Sequence, residues 1–217
     1  MTNVDQRIKA VLGKGAEAFA YSAAEVKRTG WRAFVPAPQE GVEGTTAAAI
    51  VEKHWREFRE LNVRLFAGGR VTKARDGEAA DASGPEFDEL YALPQLPTLD
   101  VLEVTQTGPD DSRPHDPSWR RVRARLSPLM AACPFEILAA DGSFLEAAFL
   151  RPPVPDEAAK VARIVAEVAP DALPLYSDAL ADRGLDVPTV EGLGTADDEA
   201  AAAAYVRVVG RIMLFWG

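Results

Sequence analysis

Residues 135–150, FEILAADGSFLEAAFL, restrict most strongly what this chain can fold into. Two apolar runs are separated by Asp141, Gly142 and Ser143, and Asp-Gly between such runs is a strong signal for a β-hairpin. The chain has 217 residues, which suffices for one large or two small domains. At that length about 70% of the unfolded surface can be buried. The hairpin therefore belongs to a protein with a substantial core.

The elements around the hairpin follow the order of a ferredoxin-like split βαβ unit. We therefore predict an α+β protein whose C-terminal half is ferredoxin-like, with a helical insertion at 171–209. The pattern predicts a strand at 100–107, a helix from about 117, the hairpin strands, a helix at 155–168 and a strand at 211–216. The insertion is expected to hold a helix near 174–183 and another that starts at Thr195. Residues 204–210 fit either that helix or the final strand.

The N-terminal half predicts a smaller α/β unit. Its expected elements are a helix at 4–27, a strand at 31–35, a helix at 46–61 and a strand from 63 to 66. On the helix at 46–61, His54 lies in line with Ile50 and Phe58, which is typical of a core or boundary histidine.

An acidic run separates the two halves. Residues 76–89 hold six carboxylates and no basic residue, namely Asp76, Glu78, Asp81, Glu86, Asp88 and Glu89. Such a composition favours a loop or linker, and the prolines at 94 and 97 extend it. We predict an N-terminal half at 1–75, a linker or loop at 76–98 and a second half at 99–217, either as separate domains or packed as one.

The net charge of −9 limits the classes of partner. A chain this acidic is repelled by nucleic acid and by anionic membranes, and it suits a basic protein, although such charge often serves only solubility. With one cysteine, Cys133, no intramolecular disulfide is possible. The N-terminus does not read as a signal peptide, and no run approaches 18 apolar residues. We expect a cytoplasmic protein.

The segment SRPHDPSWRRVRARL, at 112–126, is the main place where a site could lie. Asp116 followed by Pro117 predicts the start of a helix, with Asp116 as N-cap. Trp119, Leu126 and Cys133 recur on the apolar face of this helix. Ser127-Pro128 is expected to end or kink it near Leu126.

Four arginines on this helix have no evident role: Arg120, Arg121, Arg123 and Arg125. The first two lie in the first turn, where positive charge opposes the helix dipole. They form a solvated face, pair with the acidic run folded across them, or meet an external anion or acidic partner. With His115, they are the candidate anion-binding or partner-binding residues, and the six carboxylates of the acidic run form the candidate acidic partner surface.

Motifs for catalysis and cofactors are missing from the sequence. Asp116 is committed to the cap, so His115 next to it does not predict an acid–base pair. The residues His54, His115 and Cys133 are scattered without metal-ligand spacing. Neither GKG at 13–15 nor GGR at 68–70 completes a phosphate-binding motif. We predict no catalytic residues, no metal and no cofactor.

Two function classes remain open. The first is a non-enzymatic protein-binding or regulatory protein, of the immunity type that neutralises a basic partner. The alternative is a small enzyme or ligand-binding protein with an anion-binding pocket near residues 120–125. A structural subunit is a third possibility, because the apolar segment IMLFW at 212–216 could be an edge strand that pairs with another copy. The sequence favours the first class.

Overall fold

The computed structural model describes residues 6–7, 17–19, 32–35, 47–68, 89–94, 96–110, 118–189 and 196–216. They form an α+β fold. The strands are β1 (Glu17–Phe19), β2 (Arg32–Val35), β3 (Val63–Gly68), β4 (Glu89–Pro94), β5 (Phe135–Ala140), β6 (Phe144–Phe149) and β7 (Arg211–Phe215). The α-helices are α1 (Ala47–Glu60), α2 (Val101–Thr105), α3 (Ser118–Ala132), α4 (Pro155–Val168), α5 (Leu173–Ala181) and α6 (Asp198–Val209). Short 3₁₀ turns at Thr98–Asp100 and Pro170–Ala172 precede α2 and α5.

Two compact units divide the chain. The first comprises residues 1–101 together with 138–141, and the second comprises residues 102–137 and 142–217. Strand β5 is thus shared between them. In the first unit the strand order is β1-β2-β4-β3-β5, and in the second it is β5-β6-β7. The pairs β1–β2, β2–β4 and β3–β4 are antiparallel, whereas β3 and β5 run parallel through Ala67 and Ala139.

The core of the first unit lies between α1 and the strands β3 and β4. The buried residues of α1 recur at helical spacing and are Ala47, Ile50, Val51, Trp55 and Phe58. Asn62 adopts the left-handed conformation, with φ of 57°, and leads directly into β3. Phe66 of β3 stacks on Tyr91 of β4, with ring centroids 5.0 Å apart. A Cβ at Gly68 would lie 2.5 Å from the Tyr91 ring, so this position requires glycine.

The core of the second unit forms where α4 and α6 cover the inner face of β6 and β7. Leu145 and Ala147 of β6 are paired with Leu214 and Ile212 of β7, and all four are buried. The buried stripe of α4 is Ala158, Val161, Ala162 and Val165. Each buried valine side chain contributes about 1.5–3 kcal/mol relative to exposure.

The outer edge of β7 is closed by a tyrosine. The Gly210 carbonyl accepts from the Phe149 N–H, and the Trp216 N–H donates to the Ser143 carbonyl. Because backbone groups alternate in direction along an antiparallel strand, those of Met213 face away from β6. The buried Tyr176 of α5 donates its hydroxyl proton to the Met213 carbonyl at 2.5 Å and accepts from the Met213 N–H at 2.7 Å. Both outward backbone groups of Met213 are therefore bonded within the chain, which opposes pairing of β7 with another copy there.

The first turn of α4 is fixed by an ion pair. Glu157 accepts hydrogen bonds from the Arg151 guanidinium, at 2.6 Å to Nη1, and from the Val154 N–H at 3.0 Å. These contacts, the Arg151 hydrogen bond first, lower the pKa of Glu157 to about 2. Pro155 occupies the start of the helix, where its missing N–H costs nothing.

Many of the predicted elements are confirmed. The strand at 31–35, the helix at 46–61, the strand from 63, both hairpin strands, the helix at 155–168 and the last strand all form. In the insertion, the second helix starts at Asp198, three residues later than predicted, because Asp197 is the N-cap and its side chain accepts from the Ala200 N–H at 3.0 Å. That helix includes residues 204–209, and Gly210 ends it in the left-handed conformation, with φ of 73°.

The strand prediction at 100–107 was wrong. The segment forms a turn of 3₁₀ helix and α2, because Val101, Leu102 and Thr105 are buried at helical spacing while Glu103 is exposed. The ferredoxin-like interpretation counted this segment as its first strand. The second unit contributes β5, β6 and β7 instead, so the α+β class holds and the split βαβ order in the C-terminal half does not.

Two predictions in the N-terminal half were also wrong. Glu17–Phe19 lies inside the predicted helix at 4–27 but forms β1, because it pairs with β2 over three residues. The segment from Glu89 to Pro94 was assigned to a linker but forms β4, whose residues 90–93 are buried next to β3. Pro94 is tolerated because it is the last residue of the strand. Within the described ranges, no helix is long and apolar enough to cross a membrane.

Replacing Tyr176 by phenylalanine should destabilise the protein by about 1–3 kcal/mol, because the two hydrogen bonds to the backbone of the half-buried Met213 are lost. Urea unfolding of the Tyr176→Phe variant measures this. Tyr205→Phe is the control, since Tyr205 packs edge-on against Tyr176, with ring centroids 5.3 Å apart, but its hydroxyl makes no hydrogen bond among the described residues. Equal losses in the two variants would contradict the role assigned to the Tyr176 hydroxyl.

Glu157 should make stability depend on pH in an acidic window. Its folded pKa of about 2 lies below the ordinary value of 4.5. The contribution is therefore complete above about pH 4.5 and is lost as the pH falls toward 2. The urea midpoint of Glu157→Gln should change less than that of the wild type across this window. Glu167→Gln is the control, because the ion pair of Glu167 with Arg125 is longer and more exposed than that of Glu157. If the urea midpoint of Glu157→Gln changed with pH as that of the wild type does, the role assigned to Glu157 would be refuted.

Candidate functional site

Helix α3 carries the arginines and continues through Pro128. Trp119, Val122, Leu126 and Leu129 are buried along one side, and the helix runs to Ala132. The prediction that the helix ends near Leu126 is therefore wrong. Pro128 cannot donate to the carbonyl four residues earlier, which belongs to the exposed Ala124 and can be hydrated. The Ser127 hydroxyl bonds the Arg123 carbonyl at 2.7 Å beside this gap.

The four arginines point in different directions around α3. Residues in an α-helix are separated by about 100°. Arg121 and Arg125 therefore share one side, whereas Arg120 and Arg123 lie on others. The Arg120 guanidinium is 5.2 Å from the centroid of the Trp119 ring, and Arg125 Nη1 is 3.5 Å from Glu167 Oε2 of α4. The four side chains do not form one anion cradle.

A groove lies between α3 and α4, next to the Arg125–Glu167 pair. It encloses about 290 Å³ and is open to solvent. Its lining residues are Pro128, Leu129, Ala132, Lys160, Arg163, Ile164 and Glu167. Leu129 and Ile164, the least exposed of these residues, form the floor, the exposed Pro128 and Ala132 form the α3 wall, and the charged residues form the rim. We take this surface, the α3–α4 groove, as the candidate functional site.

Each helix contributes a regular stripe to the α3–α4 groove. On α4 the stripe is Lys160, Arg163, Ile164 and Glu167, spaced at i, i+3, i+4 and i+7. On α3 the groove residues Pro128 and Ala132 continue, at the same spacing, the side that carries Arg121 and Arg125. Helical spacing in the sequence was the signal for this site. The groove was missed because Ile164 shares the helical spacing of the buried Val161 and Val165, whereas the structure leaves Ile164 half-buried.

The remaining predicted site residues fall mainly outside the described ranges. His115, the Asp116 cap and five of the six carboxylates, namely Asp76, Glu78, Asp81, Glu86 and Asp88, are among these. Glu89 is described as the first residue of β4, where its backbone is paired with Gly68. The acidic partner surface therefore stays a prediction.

Two of the side chains considered for catalysis or metal binding, His54 and Cys133, lie in the described part of the chain. His54 is half-buried on α1, as predicted, and its Nδ1 lies 3.4 Å from Glu57 Oε2. Glu57 in turn pairs with Arg7, whose Nη2 donates at 2.9 Å. Cys133 is fully buried at the end of α3, and this burial raises the pKa of its thiol. Cys133 therefore has no access to solvent, and the His54 ring is engaged with Glu57.

Among the described residues, no group of three or more histidine, cysteine, aspartate or glutamate side chains is arranged to hold a metal ion. Comparisons with family models, with curated proteins and with solved structures find no match to this chain.

The buried thiol of Cys133 should react slowly with a thiol reagent such as Ellman's reagent in the native protein and rapidly in urea, because the thiolate is the reactive form and both burial and a raised pKa suppress it. The ratio of the two rates is the measurement. A native rate equal to the unfolded rate would show that Cys133 is accessible and would reopen it as a nucleophile.

Proposed function

We propose that the protein is a non-enzymatic binding protein that masks or regulates another protein, with the α3–α4 groove as its docking surface. The observation that carries this proposal is the form of the groove. It is open, its floor is apolar, and charged side chains line its rim. Protein interfaces share this arrangement of apolar centre and polar rim, whereas small-molecule sites bury most of their ligand.

The roles of the described reactive side chains support this class. Cys133 is fully buried, and His54 is held beside Glu57 on α1. A nucleophile or general base must reach its substrate, whereas Cys133 is buried and neither it nor His54 is among the residues that line the α3–α4 groove. The groove itself offers lysine, arginine, glutamate and apolar side chains, which suit recognition.

Within this class, the immunity type that neutralises a basic partner is the form favoured by the net charge of −9. Long-range steering depends on that overall charge, so association should weaken as salt is raised. A cytoplasmic location is part of the proposal, since a chain with one cysteine has no intramolecular disulfide that would need an oxidising compartment.

A second candidate function is the binding of a small anion, as an enzyme substrate or as a ligand. The observation in its favour is that Lys160 and Arg163 line the same groove. Against it, the apolar floor gives an anion no partner and Glu167 adds a negative charge to the rim. Protein binding uses all of these features.

Native mass spectrometry of the protein isolated at low salt from its source organism tests the proposal. We expect a stoichiometric protein companion on the wild type that is lost from the groove variant Ile164→Glu. Val208→Glu is the matched control, because Val208 is an exposed apolar residue on α6, 57% accessible, and lies outside the groove. It should keep the companion.

Circular dichroism and thermal unfolding confirm that both variants are folded before they are compared. A bare chain under all conditions, with a thermal shift on addition of phosphate or sulfate, would contradict protein binding and support the second candidate. A companion kept equally by all three proteins would show that binding occurs away from the α3–α4 groove.

A further inference from the structure

The α3–α4 groove differs in charge from the chain as a whole. Helix α3 contains four arginines and no acidic residue. Two of these, Arg121 and Arg125, lie on the side of α3 that continues the groove wall, and α4 adds Lys160 and Arg163. Glu167 is the one acidic residue among those lining the groove, and Arg125 pairs with it. The local surface is therefore basic, although the chain carries −9.

Lys160 and Arg163 are available to an incoming group. Both are exposed, and neither has an ion-pair partner among the described residues. Arg163 makes a long contact of 3.4 Å to the Ala159 carbonyl of its own helix. A partner carboxylate can pair with these two cations without breaking an existing ion pair, so binding does not include the free-energy cost of that loss.

The floor of the groove requires an apolar counterpart. Leu129 is 5% exposed at its base, Ile164 is half-buried beside it, and the exposed Pro128 and Ala132 form the α3 wall. The groove residues span about one helical turn on α3, from Pro128 to Ala132, and about two turns on α4, from Lys160 to Glu167. An occupant that fills them presents its own apolar residues at matching spacing, as an amphipathic helix does.

We propose that the α3–α4 groove binds an acidic amphipathic helix of the partner protein, with an apolar stripe against Leu129 and Ile164 and carboxylates beside Lys160 and Arg163. This inference rests on the proposed function for the existence of a partner. The inference concerns the charge of the partner segment that touches the groove, and the nearest side chains, Lys160 and Arg163, determine which charge fits there. The overall charge of −9 acts at longer range, where it steers a partner of net positive charge.

An extended segment fits this surface less well than a helix. Strand addition requires backbone groups at an open sheet edge, and a groove between two helices offers side chains only. At the edge of β7, the outward groups of Met213 are already bonded to Tyr176. A nucleic acid strand would gain from the cations but would meet Glu167 and the acidic charge of the chain.

Fluorescence polarisation with two synthetic helices tests the proposal on the full-length protein. The first labelled peptide has about 18 residues, or five turns, with leucines at i, i+3, i+4 and i+7 and glutamates on the flanks. The second has lysine in place of every glutamate. We expect the glutamate peptide to bind at least about tenfold more tightly than the lysine peptide, with a preference that shrinks as salt is raised.

Charge reversal in the groove gives the sharper comparison. The double variant Lys160→Glu/Arg163→Glu should lose the glutamate peptide and prefer the lysine peptide. Arg207→Glu is the matched control, because Arg207 is an exposed arginine on α6, and it should behave as the wild type does. Ile164→Ser should weaken both peptides, since it removes part of the floor.

Three results would overturn the inference. The first is equal binding of the two peptides, and the second is binding of neither. The third is that millimolar inorganic phosphate displaces the glutamate peptide as readily from Ile164→Ser as from the wild type. That third result would show that the groove is a simple anion site. The native companion separates this failure from that of the proposed function. If the charge-reversed protein retains its companion, protein binding still holds and the acidic helix is refuted. If no companion is found on any form of the protein, the proposed function itself is refuted.

Discussion

Helix α4 is fixed at both ends and buried along one side, and the second unit depends on that position. At its start, Glu157 is held by Arg151 and by the Val154 N–H. At its end, the indole N–H of Trp216 donates to the Val168 carbonyl at 2.7 Å. Because the helix cannot rotate without breaking these contacts, the stripe that begins at Lys160 is presented next to α3. The α3–α4 groove is a consequence of this packing.

The same packing explains how the second unit limits its own assembly. The last strand, β7, carries an apolar sequence that would suit pairing with another copy. Tyr176 prevents this at Met213, where one hydroxyl group both donates to the carbonyl and accepts from the N–H. This contact comes from a side chain of α5, so the edge of β7 is blocked at Met213 from within the same unit.

The sequence predicted the elements whose patterns are local. The hairpin around Asp141 and the helices α1 and α4 have a strong period or a turn signal within a few residues. The segment 100–107 failed because its valines and threonines favour a strand, while the burial of Val101, Leu102 and Thr105 selects a helix. The strand β4 was missed because the acidic run before it and the prolines at 94 and 97 suggested a connection, and because its paired residues in β3 are at least 21 residues away, the separation of Gly68 and Glu89.

The candidate site was less accessible to sequence reasoning than the fold. The arginines of α3 were identified, but their partners were not, because Arg125 and Glu167 are separated by 42 residues and meet only after α3 and α4 pack. Ile164 has the spacing of a core residue, and only the packing of Val161 and Val165 shows that it lies at the margin of the buried stripe. Half-exposed positions of this kind are where a single periodicity cannot separate core from binding surface.

Photo-crosslinking in living cells tests the central claim most directly. A benzoylphenylalanine placed at Ala132, an exposed residue of the α3–α4 groove, captures whatever contacts the groove in the cell. The same group at Val208 of α6 reports on a surface outside it. We predict one dominant protein adduct from position 132 and none from position 208. An adduct from position 208 alone, or no protein adduct from position 132, would contradict the assignment of the groove as the binding surface.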